Sequence, residues 1–156
     1  MIMKKLWAPW RKKYITDKPG KACFICRIKN AKDEKKHFIV KKTRHSFAVL
    51  NLFPYNNGHL LIVPKRHVKD LSSLKNDELL DLIQLTNSMT KKIEKSMNPH
   101  GLNIGINMGR ASGAGVPGHI HIHIVPRWSG DTNFMPVITD TKVVSESLES
   151  VYERLK

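Results

Sequence analysis

The segment His119-Ile120-His121-Ile122-His123-Ile124-Val125 constrains this chain more than any other. Alternation of imidazole with isoleucine has the period of a β-strand, whose successive side chains point to opposite faces. A strand from His119 to Val125 carries three imidazoles on one face, about 7 Å apart along the backbone. Its isoleucines face the other way, toward a core. Upstream, the run from Gly109 to Gly118 holds four glycines together with Arg110, Ser112 and Ala114. Glycine-rich backbone lets main-chain N–H groups approach a phosphate closely. No Gly-Lys-Ser/Thr follows, so this is not a Walker loop, and it lacks the dinucleotide fingerprint. Loop and strand together read as a phosphate pocket with a nucleophile at its floor.

Four other segments read as strands by period-two patterning between turn residues: His37 to Val40, Ser46 to Leu52, His59 to Val63 between Gly58 and Pro64, and Leu102 to Met108. In the last, Leu102, Ile104, Ile106 and Met108 share one face, and Asn103, Gly105 and Asn107 the other. Between Asp77 and Met97 the period changes to that of a helix. Leu79, Leu82, Met89, Ile93 and Met97 form its stripe, with Ile83 beside them. Acidic Asp77 and Glu78 open it, Lys91, Lys92 and Lys95 lie near its end, and Asn98-Pro99 stops it. A last helix spans Ser145 to Leu155. This order predicts an α+β fold: a mainly antiparallel five-stranded sheet with one long helix and one short C-terminal helix. The 156 residues fit one domain, 1–156. Residues 1–36 read as an N-terminal arm and an irregular, solvated lead-in rich in Lys and Gly, and 37–156 as the catalytic core. Lys35-Lys36 and Lys41-Lys42 read as solvated surface.

The formal charge is +14, which points to an anionic partner: nucleic acid, a membrane surface or a phosphorylated small molecule. No apolar run approaches the roughly 18 residues of a membrane span. Met1 to Lys13 is basic without the apolar stretch of a signal peptide, so the expected compartment is the cytoplasm, with no membrane partner. The two cysteines, Cys23 and Cys26, form a Cys-x-x-Cys pair. In a reducing compartment such a pair reads as metal-binding or redox-active.

The alternating segment resembles the signature of the histidine-triad nucleotidyl hydrolases and transferases, His-φ-His-φ-His-φ-φ with φ apolar, at every position. The stretch Leu50 to His59 followed by Ile62 to His67 looks like that family's nucleoside-binding hairpin. Leu6 to Arg11 and Pro126 to Phe134 look like a bacterial branch related to diadenosine tetraphosphate phosphorylase. The resemblance implies the histidine-triad fold and cleavage of a dinucleoside polyphosphate at its α-phosphate. His121 would be the nucleophile, His123 the phosphate and leaving-group contact, and His119 the third catalytic histidine. It assigns Asn51, His59, Asn107, Gly115 and His123 to the nucleotide and phosphate pocket, with His59 supporting the triad. It also implies one structural zinc per chain on Cys23, Cys26, His67 and His119, and a homodimer. Two departures stand out. Asn51 replaces the acid that many relatives place on the ribose hydroxyls. Gly115 and Val116 replace a Gln-Ser pair, which fits a polyphosphate better than a phosphoramidate and leaves main-chain N–H groups, Ser112 or Arg110 as donors.

Two other readings stay open at this point. The histidines could bind a catalytic metal directly, although no acidic ligand follows them. The charge could mark a nucleic-acid binding module, or permit nonspecific nucleic-acid binding beside catalysis. No RNA-binding signature appears, and aromatic residues are 7% of the chain, too few for an obvious base-stacking surface.

Overall fold

The structure, a computed structural model, describes residues 23–112, 116, 118–135, 138 and 143–156. Among the described residues its α-helices include α1 (Phe24–Ile28), α2 (Asn76–Met97) and α3 (Leu148–Leu155). Its strands are β1 (Ile39–Lys42), β2 (Ser46–Leu50), β3 (Leu60–Pro64), β4 (Gly101–Ile106) and β5 (Ile122–Arg127). The strands form one sheet in the order β1-β2-β3-β5-β4, every neighbouring pair antiparallel. This is the expected α+β architecture.

Every residue of β2 and β3 is buried, because the sheet is covered on both faces. On one face Ala48, Leu50, Leu60, Ile62, Ile122 and Ile124 pack beneath α2 and α3. The helix α2 turns Leu82, Leu85, Met89, Ile93 and Met97 to this core, whereas Leu79 is half-buried and Ile83 exposed. Asn98 closes it in the left-handed conformation at φ 47°, just before Pro99. On the opposite face Ile39, Phe47, Val49, Leu61 and Val63 surround Ile25 of α1. The solvated, irregular reading of the lead-in is therefore corrected for residues 24–28. Phe24, Ile25 and Ile28 have one-turn spacing, and Ile25 is fully buried.

The triad strand is shorter than its pattern. Residues 119–121 precede the ladder, which starts at Ile122 opposite Ile62 and Ile106. β4 ends there, while β3 runs two residues further, to Pro64. Pro64, which ends β3, has no N–H to donate. The Ile120 N–H bonds Val68 O instead, at 2.7 Å. The alternation of side chains survives all the same. Register sets His123 between Leu61 and Gly105, on the face away from α2, while Ile122 and Ile124 enter the helix-side core. Gly58 makes the β2–β3 connection possible. Its φ is +74°, and a Cβ there would lie 2.7 Å from Met97 Sδ.

Candidate active site

His59 begins the chain of contacts. Its Nδ1 accepts the Tyr55 main-chain N–H at 3.0 Å and lies 3.2 Å from Asn51 Nδ2. Asn51 Oδ1 meanwhile accepts the Phe53 N–H at 3.0 Å, which fixes the orientation of the amide. A ring nitrogen that accepts from a main-chain donor carries no proton, so the His59 proton sits on Nε2. There it donates to His123 Nδ1 at 2.9 Å. His123 then holds its own proton on Nε2, which faces the Asn107 amide at 3.4 Å and takes its oxygen as acceptor once that amide is turned to present it. His121 is set in the opposite sense. Its Nδ1 lies 2.9 Å from the His119 carbonyl oxygen, to which only an N–H can donate, leaving Nε2 with a free lone pair. The His121 and His123 rings meet edge to face at 4.7 Å.

His59 and His123 are buried together, and burial keeps both neutral. It pushes His59 down to about 3, with the His123 and His121 charges adding to it, and His123 down to about 4, with His121 adding. Opposite His123, Gly105 presents no side chain, and a Cβ there would meet nothing within 4 Å. The pair thus borders open space on its β4 side. Imidazoles with assigned protons, one offering a lone pair and its neighbour an N–H, can act as nucleophile and hydrogen-bond donor on one phosphate.

A model of the HIT domain matches residues 32–130. The chain belongs to the HIT family. It is 36% identical over 155 residues to the AP-4-A phosphorylase of Mycobacterium tuberculosis, covering 94% of this chain and 79% of that protein. A zinc-bound histidine triad family protein from Mycobacterium smegmatis superposes with a TM-score of 0.68 at 25% identity, over 86% of this chain and 90% of that one. The diadenosine triphosphate hydrolase of Plasmodium falciparum does so at 0.59 and 26%, over 77% and 72%.

The HIT fold brings most of the expected site residues together. His119, His121, His123, His59, Asn51 and Asn107 converge, whereas Gly115 lies outside the described residues. His59 uses both ring nitrogens within the protein, so its place is behind His123 and not on a phosphate. Asn51 keeps one Nδ2 proton and one Oδ1 lone pair free for a ligand. Ser112 gives its hydroxyl proton to Gly109 O at 2.8 Å. Two contributors were missed from the sequence: the Pro64 carbonyl and Tyr55. An aromatic residue in a polar turn four positions before His59 was the available signal for Tyr55.

A second cluster lies behind the triad. His119 Nε2 is 2.8 Å from Pro64 O, which places its proton there and frees Nδ1. That Nδ1 is 3.4 Å from Cys23 Sγ, 3.6 Å from Cys26 Sγ and 3.2 Å from His67 Nδ1. Cys26 Sγ and His67 Nδ1 are 3.4 Å apart, and all four ligand atoms lie within 4.8 Å of one another. A tetrahedron with metal–sulfur bonds of about 2.3 Å and metal–nitrogen bonds of about 2.0–2.1 Å has edges of roughly 3.3–3.8 Å. The four residues therefore fit a metal ion. Burial, then the neighbouring Cys23, raises the Cys26 thiol. The loop bearing His67 is anchored by a two-pronged Arg66–Glu78 pair at 2.8 and 2.5 Å. The hydrogen bond from Arg66 holds the Glu78 carboxyl down at about 2.

Proposed function

We propose that this protein is a nucleotidyl hydrolase or transferase that cleaves dinucleoside polyphosphates of the diadenosine tetraphosphate kind at the α-phosphate. The observation that carries this reading is the opposed pair of tautomers, a bare Nε2 on His121 beside a protonated Nε2 on His123. His121 Nε2 attacks the α-phosphorus, a P–N bond forms and the P–O bond to the leaving phosphate breaks. His123 Nε2–H hydrogen-bonds that leaving oxygen, which departs as a phosphate anion while the proton stays on His123. Water or inorganic phosphate then attacks the nucleotidyl-His121, the P–N bond breaks to return the His121 Nε2 lone pair, the proton of an attacking water passes to solvent, and a nucleoside monophosphate or diphosphate leaves. Asn51 and Asn107 hold the ribose and a phosphate oxygen, and main-chain N–H groups around Gly115 complete the anion site. The names of the mycobacterial and plasmodial relatives support this substrate class. Hydrolysis of other nucleotide conjugates, such as phosphoramidates, is the less favoured chemistry because the Gln-Ser pair is replaced.

We further propose that Cys23, Cys26, His67 and His119 hold one structural zinc per chain. With four protein ligands there is no open position, so zinc there would clamp α1 to the segment before β5 and supply no reacting group. Its thiolates suit a reducing compartment, in keeping with the cytoplasmic expectation. The same reading takes the chain as one catalytic domain that includes α1, and as a homodimer. Strand β4 has no partner on its outer edge among the described residues, and Ile104 in it and Met108 just beyond its end are half exposed.

The test is product analysis with diadenosine tetraphosphate, with and without inorganic phosphate, for the wild type and His121→Ala. Wild type yields a nucleotidyl-protein adduct on rapid quenching, and His121→Ala yields none and loses turnover. Near-normal turnover in the variant refutes the reading.

A further inference from the structure

The His59–His123 hydrogen bond decides which nitrogen of His123 carries the proton, and so whether an N–H faces the leaving group. Something must keep that bond intact at the edge of an open pocket. Water competes for any imidazole it can reach, and a hydrogen bond is worth most where water is excluded. His123 sits beside Gly105, where no side chain shields it.

The shield lies in the β2–β3 connection. The Tyr55 ring packs on His59 with centroids 4.6 Å apart, and stacks at 21° on His123 with centroids 5.8 Å apart. It is the only ring other than histidine against both, among the described residues. The same residue's main-chain N–H is the donor that fixes the His59 proton on Nε2. Tyr55 itself is half exposed, whereas His59 is 1% and His123 9% exposed. A half-exposed tyrosine resting on two buried imidazoles covers them more than it stabilises a core.

We propose that Tyr55 is a positioning residue for His123: its N–H sets the His59 tautomer, and its ring keeps water off the His59–His123 bond and holds the His123 plane. The role is played by the ring face and the main chain, so the phenol oxygen is dispensable. This inference rests on the reading of His123 as leaving-group donor. Loss of the ring acts on chemistry and leaves ground-state binding nearly intact, so it lowers kcat and not the affinity for substrate.

The experiment compares wild type, Tyr55→Ala, Tyr55→Phe and His121→Ala by steady-state kinetics with diadenosine tetraphosphate. In parallel, ¹⁵N-edited NMR of the free proteins follows the His59 Nε2–H resonance and its exchange with water. The expected results are kcat about tenfold lower in Tyr55→Ala with KM within about twofold, part of the roughly 10²–10³-fold that one preorganised hydrogen-bond donor to developing charge supplies. The N–H resonance exchanges faster in Tyr55→Ala, and Tyr55→Phe restores both readouts. A Tyr55→Ala protein with wild-type kcat and a wild-type protected N–H overturns the inference while an inactive His121→Ala leaves the proposed function standing. Should His121→Ala turn over normally, the proposed function falls, and the NMR exchange rate alone decides whether Tyr55 guards the pair.

Discussion

Acid should unfold this protein through its two paired histidines. Buried and neutral, His59 and His123 titrate at about 3 and about 4 in the folded chain, against an ordinary value of 6.5. The unfolded chain therefore takes up two protons that the folded chain refuses. Stability is complete above about pH 6.5 and falls as the pH drops from there toward 4 for His123 and 3 for His59. Each proton changes unfolding free energy by up to about 1.4 kcal/mol per pH unit, so the pair costs about 4 kcal/mol at pH 5 relative to a pH well above 6.5. That is a large share of the roughly 5–15 kcal/mol that holds a typical domain together. Carboxylates held low by partners, Glu78 among them, add their effect mainly below their ordinary 4.5. The assay is urea unfolding at pH 7, 6 and 5, at constant free zinc so that His119 stays out of the titration. The expected slope approaches two protons near pH 5 in wild type and one in His59→Gln. A wild-type slope under one proton, or a slope unchanged in the variant, refutes the claim that burial keeps this pair neutral.

Gly58→Ala should cost about 2–4 kcal/mol, read as a lower urea midpoint. It combines a positive φ for a residue with a side chain and a clash with Met97. Asn51→Asp sets a carboxylate against a nitrogen that already accepts the Tyr55 N–H. A contact of that order is worth about 4 kcal/mol at an effective dielectric of 20, so it should raise His59 by roughly three units, seen by ¹⁵N NMR titration. Cys26→Ser should lower bound zinc from one equivalent per chain to well under half after dialysis against buffered zinc, read by elemental analysis, because one thiolate of four ligands is lost.

The alternation of His119 to Val125 carried both the sheet face and the site, because side-chain direction follows a period that the sequence states openly. It did not carry the strand's start. That depends on the neighbours, and the responsible residue, Pro64, was in view as a boundary of β3 without its effect on β5 being drawn. The helix α1 was overlooked because five residues offer barely one turn of periodicity amid lysines, and only the Cys–His cluster and the Ile25 pocket give it a reason to form. The metal ligands were named from a resemblance, since nothing in spacing alone joins Cys23 to His119 across 96 positions. Proton placement lay beyond sequence altogether. It follows from a carbonyl at Pro64, another at His119 and an amide at Tyr55, all main-chain groups whose partners exist only in three dimensions.

That 96-residue separation also bears on the order of folding. Closing a contact over such a span carries a chain-entropy cost that local turns and the β2–β3 hairpin do not, so the sheet and α2 are expected to form first. The segment 119–121, outside the ladder, is pinned by that late closure and by Pro64 and Val68. His121 Nε2, the nitrogen proposed as nucleophile, takes its final setting from the His119 carbonyl, and so it ripens at the end of folding. A partly folded chain would carry its sheet yet remain chemically silent.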